Sequence, residues 1–296
     1  MHILCVGEAM AEIRAQGDGF AVGFAGDTFN TAVYARRRLG ARGRVSYLTR
    51  VGCEGLSEGF LRLARAEGVG VEAVARDAGR NIGVYTVDTD ATGERSFAYW
   101  RERSAARLLF QDEADYAALE TCDVLYLSAI TLAILTAEAR GQLLARVAEL
   151  RGKGMIFAFD SNYRPRLWES ADVARAVIGA AWGLADVALP SVDDEIALFG
   201  GDEAAVLARL RKDGRIGALK RGALGPVAMD GSVQAEGFAP ATTVVDTTAA
   251  GDSFNGGIWR LWRLACPRRS GWLGGMRRRG MWWGLRGGSL RCLRRC

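Results

Sequence analysis

Short apolar runs alternate along this chain with longer stretches whose apolar residues recur every three or four positions. Residues 3–6 (ILCV) are a run that stops at Gly7, as a buried strand does. Residues 28–39 put Phe29, Ala32, Val33, Ala35 and Leu39 at helical spacing, and Gly40 ends the pattern. A strand is predicted at 45–48 and a helix at 56–66, stopped by Gly68. Two β-rich stretches, 81–88 and 95–101, are joined by hairpin turn chemistry at 89–93. From residue 124 the alternation is regular. Strands at 124–127, 155–159, 187–189 and 216–220 are spaced by helices at 136–151, 171–184, 193–199 and 203–212. This order predicts an α/β domain, a mainly parallel sheet flanked by helices, with ligands at the carboxyl ends of the strands. The β-rich stretches around 8–25 and 80–102 break the alternation and are expected to form a separate small sheet. The chain has no internal repeat and no low-complexity linker.

Composition narrows the chemistry. With 296 residues, 49% hydrophobic and 25% charged, the chain can bury a sizeable core, which excludes disorder and a small disulfide scaffold. No apolar run reaches the roughly 18 residues of a membrane span, and MHILCVGEAM lacks the basic start of a secretory signal, so a cytoplasmic protein is expected. One histidine, His2, leaves little room for a histidine triad, a multi-histidine metal site or a haem ligand. The six cysteines include no C-x-x-C pair, and Cys5, Cys53 and Cys122 read as buried thiols of a reducing compartment.

The net charge of +5 comes from one end. Residues 257–296 carry 11 Arg and no Lys, Asp or Glu, which leaves residues 1–256 at −6. The same stretch holds five of the eight Trp, three of the six Cys and eight Gly, the residues that GC-rich DNA encodes when read out of frame. Ile258 to Pro267 (IWRLWRLACP) has a coding that, shifted by one base, reads Tyr-Leu-Ala-Ala-Leu-Ala-Ala-Gly-Met-Pro. That is an ordinary helix with a Gly C-cap and Pro beyond it. The tail is therefore read as out of frame, against the alternative of a genuine basic tail that binds acidic surfaces.

The strongest chemical signal is VDTTAAGDSFNG at 245–256, where small residues precede a helix expected to start at Gly251. A helix N-terminus offers free N–H groups and partial positive charge to an anion. Ala249, Ala250 and Gly251 let those N–H groups approach a phosphoryl group. Asp252, in the first turn, can take a proton from an attacking hydroxyl or simply cap the helix. A second segment, FAGDTFN at 24–30, sets Asp27 and Asn30 at another predicted helix start, where both could bond vicinal hydroxyls or act as caps.

Together these segments resemble the two signatures of the ribokinase-like (PfkB) carbohydrate kinases. The commoner family form has Gly where this chain has Ala249, and the Ala-Ala version resembles the 2-keto-3-deoxygluconate kinase branch. The resemblance implies a ribokinase-like fold with a small β-sheet lid (8–25 and 80–102), one kinase domain over 1–256 and an atypical tail over 257–296. It implies transfer of the ATP γ-phosphoryl to the terminal hydroxyl of 2-keto-3-deoxygluconate, giving the 6-phosphate. Mg²⁺ would bridge the phosphates with no direct protein ligand assigned, and some members add K⁺. Asp252 becomes the base beside Ala249, Ala250 and Gly251, while Gly26, Asp27 and Asn30 contact sugar hydroxyls. Tyr85, Tyr99 and Arg101 are carried over as readers of the keto-deoxy acid, and Arg164 comes from the D-x-N-x-R element at 160–164. A sugar acid needs a cation, and either arginine could serve its carboxylate or the transferring phosphate. On the nucleotide side the resemblance points to Ser191, with Asp194 or Glu195 in the acidic role, and to Lys220, Gly222 and Gly225 of a K-x-G-x-x-G loop. Partners implied are the sugar acid and ATP, with no nucleic acid or membrane, and a second copy pairing through the lid. Two other functions stay open: another sugar kinase of the family, such as a fructokinase, or an inactive product with a basic interaction tail.

Overall fold

The computed structural model describes residues 1–89, 95–211, 215–229 and 249–265, with side chains in the last helix described through Trp259. The turn at 90–94, the end of the helix expected to reach 212, positions 245–248 and the tail from 266 lie outside the described residues. The chain opens with β1 (His2–Val6), β2 (Met10–Gln16), β3 (Gly19–Ala25), α1 (Asp27–Leu39), β4 (Arg44–Val51), α2 (Gly55–Ala66), β5 (Val74–Arg76), β6 (Gly83–Thr89) and β7 (Arg95–Trp100). It continues with α3 (Glu113–Leu119), β8 (Val124–Ser128), α4 (Ala129–Ile134), α5 (Ala137–Gly152), β9 (Ile156–Asp160), α6 (Ala171–Leu184) and β10 (Val187–Ala188). Then come α7 (Val192–Phe199), α8 (Glu203–Leu210), β11 (Ile216–Leu219), β12 (Val227–Ala228) and α9 (Ala250–Ala265).

The large sheet runs β12-β11-β10-β9-β8-β1-β4-β5, parallel except where β12 pairs with β11. Both faces are covered, which is why its strands read as unbroken apolar runs. Along β1, Ile3 and Cys5 pack with α1, α2 and α9, while Leu4 and Val6 join the core under α4, α5 and α6. The small sheet, β3-β2-β6-β7, is formed by the two stretches that interrupt the alternation.

The sequence underestimated β4, which runs on to Val51, and missed β5, α3 and α4. Ala129, Thr131, Leu132, Ala133 and Ile134 of α4 are all buried, so that helix has no polar stripe to give a 3.6-residue period. Thr136 caps α5 through its hydroxyl, 3.2 Å from the Ala139 N–H. Cys53 corrects the expectation of a buried thiol. It is exposed, because the apolar run of β4 ends at Val51 and Gly52 turns the chain outward, whereas Cys5 is buried and Cys122 half-buried. No helix among the described residues is long and apolar enough to cross a membrane.

α9 does not stop at 256. It continues through Ala265, and Ile258 and Trp259 are buried in the core beside α1. The two helices cross at Gly256, where a Cβ would stand 2.5 Å from the Tyr34 Cβ and 2.7 Å from the Ala35 nitrogen. Only glycine permits this approach, and the approach brings the N-terminal ends of α1 and α9 together.

Candidate active site

β1 lies where the strand order reverses, with β4 on one side and β8 on the other, and the crevice above its carboxyl end is the expected ligand position in such a sheet. α1 starts there. Gly26 precedes it because a Cβ would lie 2.3 Å from the Glu8 carbonyl oxygen, where the chain returning from the small sheet crosses its own departure. Asp27 Oδ2 accepts hydrogen bonds from the Ser128 hydroxyl, at the end of β8, and from Asn162 Nδ2 at 2.7 Å, beyond β9. One carboxylate thus gathers three loops of the carboxyl edge.

Asp252 faces this group. Its Oδ2 accepts from Asn30 Nδ2 at 2.9 Å, so two residues separated by more than two hundred positions meet. Burial pushes the Asp252 carboxyl up to about 8, with the negative charges of Asp27 and Asp160 adding to the shift and Asn30 and Lys220 opposing it. A carboxylate so tuned suits a general base near neutral pH. α9 begins at Ala250, and its first intrahelical bond runs from the Ser253 N–H to the Ala249 carbonyl at 2.8 Å. The N–H groups of Ala250, Gly251 and Asp252 precede any helical acceptor and remain available to an anion.

Ala249 holds φ at 65°, in the left-handed region that favours glycine. Ala249→Gly is expected to stabilise the fold by roughly 0.5–1 kcal/mol, as relief of left-handed strain outweighs glycine's larger unfolded-state entropy. A rise in the urea midpoint at unchanged slope would register this; a fall would show that the strain is absent.

Beneath the α9 N-terminus lies a buried ion pair. Lys220 Nζ donates to both oxygens of Asp160 at 2.9 Å and to Asn255 Oδ1 at 3.3 Å. Asn255 Nδ2 in turn donates to Asp160 Oδ2 at 2.6 Å and to the Tyr126 hydroxyl at 3.0 Å. A Cβ on Gly251 would stand 3.8 Å from Lys220 Nζ, so the ammonium sits directly beside the candidate anion cradle.

The small sheet contributes a separate cluster. Tyr85 and Tyr99 are cross-strand partners, stacked with ring centroids 5.7 Å apart. The Tyr85 hydroxyl donates to Glu12 on β2, and burial together with that bond holds its pKa well above the usual phenol value. Arg101 lies 5.8 Å from the Tyr99 ring centroid and pairs with Glu8.

Arg164 is found elsewhere. Its Nη1 donates to the Tyr163 carbonyl at 2.7 Å and to Asp194 Oδ1 at 3.2 Å. Burial raises the Asp194 pKa, while the Arg164 and Lys220 charges oppose the rise. The two acidic candidates part company here. Asp194 is in the field of Arg164, Asp160 and Lys220, whereas Glu195 is turned into the helical layer, where it accepts from Trp182 Nε1 at 3.1 Å and Arg209 at 2.6 Å. The Ser191 N–H donates to the Ser161 hydroxyl at 2.9 Å and Ser191 bridges to Lys220, which aligns the exits of β10 and β11. After Lys220 the chain makes one 3-10 turn, Gly222–Leu224, ended by Gly225.

Residues 2–262 match the profile of the pfkB family carbohydrate kinases. The chain belongs to that family. The 2-dehydro-3-deoxygluconokinase of Escherichia coli (strain K12) is 39% identical over 265 residues, covering 86% of this chain and 86% of its own length. The enzyme of the same name from Dickeya dadantii (strain 3937) is 38% identical over 271 residues, again covering 86% of each. A crystal structure of a PfkB protein from Polaromonas sp. JS666 superposes with a TM-score of 0.75 at 26% identity, covering 87% of each chain. Like its family, this kinase is a phosphotransferase acting on a sugar hydroxyl.

The sequence did not point to Glu8, Glu12, Ser128 or Asn255 as parts of this pfkB kinase's site, and Asp160 and Asn162 were only neighbours of Arg164 in a motif. The signal available for Glu8 and Glu12 was an acidic residue next to an otherwise apolar stretch. Both are buried, and buried carboxylates are rare without partners.

Proposed function

We propose that this kinase transfers the γ-phosphoryl of ATP to the terminal hydroxyl of 2-keto-3-deoxygluconate, giving the 6-phosphate. The observation that carries the reading is Asp252, a half-buried carboxylate with a raised pKa at the first turn of a helix whose N–H groups are free for an anion. In this mechanism Asp252 takes the hydroxyl proton as the oxygen attacks. The N–H groups at 250–252 and the Lys220 ammonium stabilise the charge on the transferring phosphoryl. Asp27 and Asn30 orient the sugar hydroxyls. The small sheet covers the sugar, with Tyr85 and Tyr99 against its carbon face.

The separation of the two arginines supports a division of labour: Arg101 reads the carboxylate, and Arg164, beside Asp194, serves the phosphates. Asp194 is a hard oxygen donor, which suits a divalent cation such as Mg²⁺ carried on the nucleotide. When bound, the ion neutralises phosphate charge. Ser191, Gly222 and Gly225 line the nucleotide side in this reading, and Glu195 serves it indirectly by packing α7 against α6.

Phosphorylation of 2-keto-3-deoxygluconate and of fructose, measured side by side, tests the assignment. Arg101→Ala is expected to lower kcat/KM for the sugar acid by about tenfold to a hundredfold, the worth of a charge-assisted hydrogen bond, and to spare fructose. Equal losses on both substrates would sink the sugar-acid reading and favour a neutral-sugar kinase.

We also read 257–296 as out of frame beyond the first turns of α9. Its composition supports this. Sequencing the gene around the Gly256 codon against near relatives decides it. A cytoplasmic location and pairing of two copies through the exposed Phe20, Val22 and Trp100 of the small sheet complete the proposal.

A further inference from the structure

Glu8 lies in the connection between β1 and β2, where the chain leaves the large sheet for the small one. Its carboxylate, 2% exposed, pairs with the guanidinium of Arg101, 6% exposed, just past the end of β7. The pair joins the exit of the first strand of the large sheet to the last strand of the small sheet. The bond to Glu8 uses Arg101 Nη2 alone. Arg101 Nε and Glu8 Oε1 are buried and have no hydrogen-bond partner among the described residues. Such atoms cost about 1–3 kcal/mol each when left unmade, and in native structures they mark places where something else completes the bonding.

The surroundings leave the guanidinium little choice of orientation. A Cβ on Gly83 would stand 2.7 Å from Glu8 Oε1 and 3.4 Å from the Arg101 Cβ, so the pair occupies the space that glycine leaves. The Tyr99 ring lies against the other side, and Tyr99 is itself stacked on Tyr85, whose hydroxyl Glu12 holds. The Arg101 carbonyl accepts from Arg107 Nε at 3.1 Å, which fixes the backbone.

We propose that Glu8 is a positioning residue for sugar-acid recognition: by holding one edge of the Arg101 guanidinium it presents the remaining N–H donors to the substrate carboxylate. The proposal rests on the functional reading above. It runs against simple charge addition, since a carboxylate near an anionic ligand repels it. Positioning and repulsion therefore predict opposite signs when Glu8 loses its charge.

The test is equilibrium binding of 2-keto-3-deoxygluconate and of fructose to the full chain by calorimetry, for the unsubstituted protein, Glu8→Gln, Arg101→Met and the double variant. Glu8→Gln is expected to weaken sugar-acid binding by about tenfold, the worth of one charge-assisted bond, with fructose affinity changed by less than about threefold. In the Arg101→Met background Glu8→Gln should add less than about twofold, because the two residues act as a unit. Tighter or unchanged sugar-acid binding by Glu8→Gln overturns the proposal. So does equal weakening toward both sugars, the mark of a purely structural tie between the sheets. Should Glu8→Gln show no cooperative unfolding transition, Glu8→Asp carries the test. It keeps the charge, withdraws the carboxylate by one methylene and should weaken the sugar acid selectively; unchanged affinity again overturns the proposal. An unsubstituted chain that fails to bind the sugar acid brings down the functional reading, and the proposal with it, before any variant is compared.

Discussion

Asp252→Asn is expected to lower kcat by about 10²–10⁴, the usual contribution of a positioned general base, while the KM for sugar changes little. Asparagine keeps the size of the side chain but cannot accept the hydroxyl proton. The pH profile carries a second signature. Burial holds the Asp252 carboxyl up to about 8, so the basic form is lost as pH falls through that value. kcat/KM should therefore rise with pH and level off above about 8, and a profile flat from pH 6 to 9 would remove Asp252 from the role of base.

The same shift sets a sign for stability. A carboxyl whose folded pKa lies above its unfolded value takes up a proton on folding, so its stabilising contribution is complete below the ordinary carboxylate range and is lost as pH rises through about 8. Asp252→Asn carries no such titration. Its Tm relative to the unsubstituted protein should climb between pH 5 and pH 9. A parallel pair of Tm curves would show that the burial penalty at Asp252 is not paid by the folded state.

Lys220→Met should damage both fold and turnover. The Lys220–Asp160 pair is largely buried, with side chains 15% and 4% exposed, and removing the cation strands the Asp160 charge. Breaking such a pair costs about 3–5 kcal/mol, toward the lower end here because Lys220 keeps some solvent contact. The ammonium also lies beside Gly251 at the anion cradle, and loss of one electrostatic stabiliser there should lower kcat by about 10²–10³. Urea unfolding and steady-state kinetics of Lys220→Met and of Lys220→Met with Asp160→Asn separate the two effects. The double variant removes the stranded charge, so stability should partly return while kcat stays low. Recovery of both together would make Lys220 a structural residue only.

Much of this was legible one residue at a time. The β/α alternation from 124 onward is written in period, because each parallel strand is covered on both faces and each helix on one. The two signature segments could be read because each is local: a run of small residues and a first-turn carboxylate carry their chemistry wherever the fold sets them. The tail's composition set it apart from the body of the chain in the same local way.

The small sheet was harder to read. Its existence showed as an interruption, but its pairing joins residues 10–25 to 83–100 across α1, β4 and α2, and no local pattern records that register. The charges behaved similarly. In the sequence Arg101 and Arg164 are interchangeable cations, and Asp194 and Glu195 are adjacent acids. Packing separated them, setting Arg101 against Glu8 and Arg164 against Asp194, and it turned Glu195 toward Trp182 and Arg209. A helix places neighbouring residues about 100° apart, so one acid can face the crevice and the next the core, and only the packing decides which. The raised pKa of Asp252 has the same origin. It comes from burial and from Asp27 and Asp160, two carboxylates on other elements, and so arises only when α1, β9 and α9 meet above the carboxyl end of β1.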